Sequence, residues 1–260
     1  MLLKKVAWFL WKIWFYTLIL IVIVVLSPFL IISLSTEKFY RFFFILARIW
    51  AHLVFYGMGF SKKIVIKQQF DPKKSYMLTA NHTSMMDIML MLILVKNPFV
   101  FVGKKELAKL PIFGYFYKKA CILVDRSSAV SRRKTMIAAA EKLASGLSVC
   151  IFPEGGVPQD ETIILDEFKD GAFRLAIDFS IPVVPMTFVG LKEMFPFRFF
   201  AGRPGKVLVY QHPFVVTKQL TQRDKPELKR EVREAILEPL LDQPSSDSNP
   251  ILEKRISGDE

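Results

Sequence analysis

The chain has 260 residues, 52% of them apolar, and its mean hydropathy of +0.32 is too high for a domain that meets only water. Its net charge of +12 and pI near 9.6 imply anionic partners, either phosphate-bearing lipids or nucleic acid. The two cysteines, Cys121 and Cys150, fall in expected buried strands with no partner at metal-ligand spacing, which points to core residues in a reducing compartment and away from a zinc site.

Residues 13–34 are an uncharged run of 22, long enough to cross a hydrocarbon core of about 30 Å as a helix. No small-x-small cleavage site follows it, so a retained anchor is expected in preference to a signal peptide. Lys4, Lys5 and Lys12 precede the run and Lys38, Arg41 and Arg48 follow it, so the positive-inside rule selects no orientation. Pro28 can kink the run so that it dips into one leaflet and returns, keeping both basic flanks on the cytoplasmic side of the cell membrane. Residues 39–60 mix many aromatics with Arg41, Arg48 and His52 and predict an interfacial helix, with His52 on a polar stripe four residues after Arg48. Residues 1–60 are thus expected to be a membrane anchor followed by an interfacial helix.

Strand-like runs at 64–67, 76–80, 99–102, 121–124, 148–152, 183–189 and 206–210 then alternate with helical runs at 88–94, 131–144 and 168–179. Such alternation predicts one α/β domain over residues 61–242, with a largely parallel central sheet flanked by helices. Residues 224–241 predict a charged amphipathic helix with Pro226 in its first turn, and residues 243–260, rich in Ser, Pro and Asp, a flexible tail. Positive charge is concentrated in residues 96–142, with 11 basic against 3 acidic side chains, whereas residues 143–260 carry 14 against 18. That field attracts anionic lipid surfaces and phosphate-bearing substrates. The basic stretch has no nucleic-acid motif and is tied to a lipid-facing N-terminus, so no nucleic-acid partner is expected.

The most informative stretch is Asn81-His82-Thr83-Ser84-Met85-Met86-Asp87, at the end of an apolar strand. A histidine titrates near neutral pH and can take a proton from an alcohol, while a carboxylate can hold the ring in the tautomer that leaves its other nitrogen free to accept. Five residues advance a helix by roughly 500°, so the two side chains cannot share a helix face. They can meet if His82 sits in the loop and Asp87 in the first helical turn. Ser84 followed by Asp87 reads as a capping box that starts the helix there. A turn histidine beside a capping aspartate is the alternative at this point. The second signal is Phe152-Pro153-Glu154-Gly155-Gly156, again after an apolar strand. Ligand sites in open α/β sheets lie at the carboxyl ends of strands, so both stretches are expected to face one crevice. His212, before Pro213 in a late strand, is read as structural. A cysteine nucleophile lacks a neighbouring histidine.

Together these residues resemble the glycerolipid acyltransferase family, whose members include the 1-acyl-glycerol-3-phosphate acyltransferases. Its first block, Asn-His-x-x-x-x-Asp, is met by Asn81, His82 and Asp87, and its third, Phe-Pro-Glu-Gly, by Phe152 to Gly155. A strand ending in arginine looks like residues 121–126, and an apolar Val-Pro stretch like residues 181–186. Many members continue the third block as Glu-Gly-Thr-Arg, whereas this chain has Glu154-Gly155-Gly156-Val157. In the family that arginine helps bind the substrate phosphate, so another cation must serve or the acceptor differs. Lys104, Arg126, Lys169 and Arg174 are the candidates, Arg126 first because an arginine fork grips phosphate in bidentate fashion.

The resemblance implies transfer of a fatty acyl group from a thioester, acyl-coenzyme A or acyl carrier protein, to the hydroxyl of 1-acyl-glycerol-3-phosphate, giving phosphatidic acid. His82 and Asp87 are then the catalytic pair, and no resident cofactor or metal is required. Arg126 and Lys104 are expected to bind the acceptor phosphate, and Glu154 to contact or orient the glycerol. Asn81, Gly155 and Lys169 complete the expected substrate contacts. Backbone amides near Gly155 and Gly156, or at the helix start after Ser84, can stabilise the oxyanion. The apolar segment 183–188 either contacts the acyl chain or is plain core strand. Another lysophospholipid or an aminolipid as acceptor, and a non-catalytic lipid-binding protein of the same fold, are the competing readings.

Overall fold

The computed structural model describes residues 2–158, 160 and 162–242. The tail expected at residues 243–260 lies outside them. The chain opens with two long helices, α1 (Leu2–Ser33) and α2 (Tyr40–Gly57). Both are long and apolar enough to cross a membrane. They form a hairpin: Trp11 and Trp14 near the start of α1 donate to the carbonyls of Met58 and Gly57 at the end of α2, while Leu30 meets Phe43 and Leu46 near the turn. Helix α1 runs through Pro28 without a break. The proline cannot donate to the Val24 carbonyl, but Ser27 Oγ donates to that carbonyl at 2.7 Å, so the helix continues through the missing bond.

Seven strands follow, β1 (Ser61–Ile66), β2 (Met77–Ala80), β3 (Phe99–Lys104), β4 (Ile122–Val124), β5 (Ser148–Cys150), β6 (Val183–Val189) and β7 (Lys206–Gln211), in the order β1-β7-β6-β2-β5-β3-β4. All neighbours are parallel except β6 and β7. Between them lie α3 (Met86–Leu94), α4 (Phe113–Ala120), α5 (Ala129–Ala144), α6 (Gly171–Asp178) and α7 (Leu191–Met194), and α8 (Lys225–Leu241) closes the domain.

Strand side chains alternate between two cores. Leu78, Cys150, Val184 and Met186 join Phe44, Phe55 and Leu90 under α2 and α3, whereas Met77, Val149 and Val183 join Phe173, Ala139 and Val232 under α5, α6 and α8. Each fully buried Leu, Val, Met or Phe is worth about 1.5–3 kcal/mol of transfer, so two such layers set the sheet rigidly in place. Cys150 is buried in its strand as expected, but Cys121 ends α4, is half-buried, and stands just outside β4. Arg48, expected on an interfacial stripe, turns inward and donates to the carbonyls of Leu92 and Ile93 at the C-terminus of α3; His52 Nδ1 bonds the Arg48 carbonyl.

Candidate active site

The register of β2 on β5 pairs Leu78 with Cys150, so His82 and Glu154, each four residues further on, emerge side by side at the carboxyl edge. Glu154 Oε1 accepts the His82 backbone N–H at 2.7 Å and Oε2 accepts that of Asp166 at 3.0 Å. Next in the sheet, β3 and β4 pair Lys104 with Val124, which places Lys104 and Arg126 along the same edge.

His82 Nδ1 and Asp87 Oδ2 are 2.8 Å apart, and Asp87 is fully buried. The same oxygen accepts the N–H groups of Thr83 at 2.7 Å and Ser84 at 2.8 Å. Only half of the expected capping box forms. The carboxylate reaches back to Ser84, but Ser84 Oγ accepts from Met86, and α3 begins two residues after the serine. With Nδ1 donating to the carboxylate, Nε2 is the acceptor nitrogen. The ring lies on Phe152, centroids 4.3 Å apart and 19° between planes, which fixes its direction.

His82 lines a cavity of about 1230 Å³, above the usual ~300–1,000 Å³ of a ligand pocket. Phe15, Ile19, Ile23, Phe43 and Trp50 of the hairpin line it, as do Lys104, Arg126 and Gly156 at the sheet edge. It is therefore a largely apolar chamber whose wall also carries His82 and the cations Lys104, Arg126, Lys192 and Arg198.

Several expected contacts are corrected. Asn81 is buried, with Nδ2 donating to the Phe188 carbonyl at 2.9 Å and Oδ1 accepting the Phe188 N–H at 2.8 Å; it ties β2 to β6 and does not line the chamber. Glu154 is buried and lines the second cavity, not the chamber, and its Oε1 holds the His82 backbone N–H. Residues 183–188 are core strand throughout and line no part of the chamber. Asp87 takes the N–H groups of Thr83 and Ser84, Ser84 Oγ that of Met86, and the Phe152 carbonyl that of Gly155, whereas the N–H groups of the chamber-lining Met85, Gly156 and Val157 have no hydrogen-bond partner among the described residues. Lys169, Gly155 and Arg174 line a second cavity instead. Three lining residues carry no signal in the sequence: Thr83, whose buried Oγ1 has no partner among the described residues, and Lys192 and Arg198, which follow β6. His212 Nε2 lies 2.8 Å from Thr187 Oγ1, and burial holds its imidazole down at about 4, neutral and structural. No group of three potential metal ligands occurs among the described residues.

Burial pushes the Glu154 carboxyl up to about 7, against the pull of its two N–H donors. A carboxyl raised from 4.5 favours the folded state most below its unfolded value and loses that contribution as pH rises to about 7. Wild type is therefore expected to lose about 2–3 kcal/mol relative to Glu154→Gln between pH 4.5 and 7. Denaturation midpoints of both proteins at pH 5 and 8 check this; parallel shifts would contradict it.

The profile of the Acyltransferase family matches residues 62–189. A probable 1-acyl-sn-glycerol-3-phosphate acyltransferase of Mycoplasma pneumoniae is 30% identical over 137 residues, half of each chain. The 1-acyl-sn-glycerol-3-phosphate acyltransferase of Saccharomyces cerevisiae is 26% identical over 198 residues, 75% of this chain and 65% of that one. The chain spans about half the length of the curated relatives it matches. The fold is shared with the crystal structure of PlsC, the 1-acyl-sn-glycerophosphate (LPA) acyltransferase of Thermotoga maritima, at a TM-score of 0.74 and 24% identity over 95% of this chain and all of that one.

Proposed function

Because the chain belongs to the acyltransferase family, we propose that it moves a fatty acyl group from a thioester donor to the free hydroxyl of 1-acyl-sn-glycerol-3-phosphate, giving phosphatidic acid. The observation that carries this reading is the His82–Asp87 pair, 2.8 Å apart, with His82 in the wall of a largely apolar chamber that Lys104 and Arg126 also line. His82 Nε2 takes the hydroxyl proton as the oxygen attacks the thioester carbon, and Asp87 stabilises the imidazolium. The carbon–sulfur bond then breaks, and the imidazolium returns the proton to the leaving thiolate. A thioester is already activated, so the enzyme has chiefly to align two substrates and stabilise an oxyanion, and no covalent acyl-enzyme is needed. The N–H groups of Gly156 and Val157 serve the oxyanion, and the donor is acyl-coenzyme A or acyl carrier protein.

Arg126 and Lys104 bind the acceptor phosphate. A side chain at 156 would place its Cβ 2.9 Å from Arg126 Nη1, so the glycine that replaces the family's threonine makes room for that guanidinium. Arg126→Ala is expected to raise KM for 1-acyl-glycerol-3-phosphate about tenfold or more, the worth of one charge-assisted contact. Gly156→Thr moves the same KM in the same direction by displacing the arginine. Transfer assays with an acceptor panel test both variants. Equal use of a phosphate-free acceptor by wild type and Arg126→Ala is the result expected here. Preference of wild type for another lysophospholipid or an aminolipid favours the second reading, to which the Gly156-Val157 departure points.

Membrane association follows from the hairpin, whose outer face exposes Leu20, Ile21, Val24, Val25 and Phe29. We propose that it lies in one leaflet on the cytoplasmic side. Both of its ends touch the domain: Glu37 at the turn is 2.6 Å from Lys142, and Trp8 and Lys12 at the other end donate to the carbonyls of Gly202 and Pro196. Two spanning helices would carry one of those domain contacts across the bilayer, which supports the reading of a hairpin that enters and returns.

A further inference from the structure

The second cavity, about 1090 Å³, is a groove between α5 and α6 at the carboxyl ends of β3, β4 and β5. Six cationic side chains line it, Arg126, Arg132, Arg133, Lys169, Arg174 and Lys225, against the acids Glu154, Asp170 and Asp178. The acids are already engaged. Glu154 accepts two backbone N–H groups, Asp170 is bridged by Lys225 and Lys229 at 2.9 Å each, and Asp178 lies 3.7 Å from Arg174. Of the cations, the side chains of Arg126, Arg133 and Lys169 have no hydrogen-bond or ion-pair partner among the described residues. Three unpaired cations in a concave site favour a ligand with more than one negative charge.

The groove adjoins the catalytic chamber. Val102, Arg126 and Phe152 line both, and the Gly155–Gly156 turn separates them, Gly155 on the groove side and Gly156 on the chamber side. Lys169 crosses over the Gly155 face of that turn, its Cγ 3.5 Å from where a Cβ would stand, and Arg126 lies against the Gly156 face. Phe152, part of the wall that the groove and the chamber share, is also the residue on which the His82 ring lies.

We infer that the groove holds the phosphate-bearing carrier of the acyl donor, the phosphopantetheine phosphate with any nucleotide phosphates beyond it, while the thioester passes over the glycine turn to His82 and the acyl chain occupies the apolar chamber. This rests on the transfer reaction proposed above. The cations then divide between the two substrates, Lys104 serving the acceptor, Arg133 and Lys169 the donor, and Arg126 standing between.

The double variant Arg133→Ala/Lys169→Ala tests it, since both side chains are exposed and outside the chamber. With palmitoyl-coenzyme A, donor KM is expected to rise about tenfold or more, the worth of at least one charge-assisted contact. KM for 1-acyl-glycerol-3-phosphate, and transfer from the phosphate-free N-acetylcysteamine thioester, are expected to stay at wild-type values. Palmitoyl-acyl carrier protein forms the second arm. A rise confined to one carrier identifies the source of the phosphate, and a rise with both places the shared phosphopantetheine phosphate in the groove. Unchanged KM for both carriers, or an equal loss with the phosphate-free thioester, overturns the inference while wild-type transfer stands. Absence of transfer by wild type from every donor to every acceptor overturns the reaction itself.

Discussion

His82→Ala is expected to lower kcat by at least about 10²–10⁴-fold, the range for loss of a positioned general base, with the folded domain and its membrane binding retained. The ring stands in the loop after β2, partly open to the chamber, and its removal leaves Asp87 Oδ2 still accepting from Thr83 and Ser84. Little else depends on it. The acceptor site proposed at Lys104 and Arg126 is untouched, so KM should move far less than kcat. Single-turnover transfer with purified variant and wild type, alongside vesicle flotation of both, separates loss of chemistry from loss of fold. A variant that retains a tenth or more of wild-type kcat contradicts the assignment of His82 as base.

Asp87→Ala is expected to damage both fold and chemistry. One oxygen of this fully buried carboxylate accepts three N–H donors, His82 Nδ1 and the amides of Thr83 and Ser84. Each donor left unsatisfied in the interior costs about 1–3 kcal/mol, and the three relax together, so a loss of about 3–5 kcal/mol is expected. Asp87→Asn isolates the chemistry. Its carbonyl oxygen can still accept the two amides, but a neutral side chain no longer stabilises the imidazolium or holds its tautomer. Transfer should fall at least about 10²-fold while most of the stability is regained. Denaturation midpoints and kcat of the two variants check this. Full activity in Asp87→Asn would show that the aspartate is a cap and nothing more.

How much of this is legible in the sequence depends on the range of the interaction concerned. Strand β6 has the limits that its residues predict, because seven successive buried residues make an apolar run with no competing period. The meeting of His82 and Asp87 is legible too, since a loop residue and a first-turn residue five apart are a local matter. Helix α4 is not. Its eight residues, Phe113 to Ala120, hold a glycine and four aromatics and carry no side-chain cap, so local propensity does not favour a helix. Its place comes from packing, with Gly114 set against the Ala108 backbone where no Cβ would fit.

Asn81 and Glu154 depart from their expected roles for a different reason. Polar residues beside a catalytic histidine suggest substrate contacts, but their partners, Phe188 and the His82 amide, lie 107 and 72 residues away. Only the register of β2 on β6 and β5 brings them together. The antiparallel pairing of β6 with β7 is equally invisible, because strands and helices alternate along the chain in either case. Nor does the sequence of α1 and α2 reveal that their inner face lines the chamber that holds His82.

The measurement that bears most directly on the central claim is transfer of a labelled acyl group to 1-acyl-glycerol-3-phosphate by detergent-purified wild type and His82→Ala, with acyl-coenzyme A and acyl carrier protein supplied separately. Labelled phosphatidic acid from wild type with at least one donor, and none from the variant, is the predicted result. Folded, lipid-bound wild type that forms no phosphatidic acid with either donor, or a variant that forms it as fast as wild type, would contradict the account.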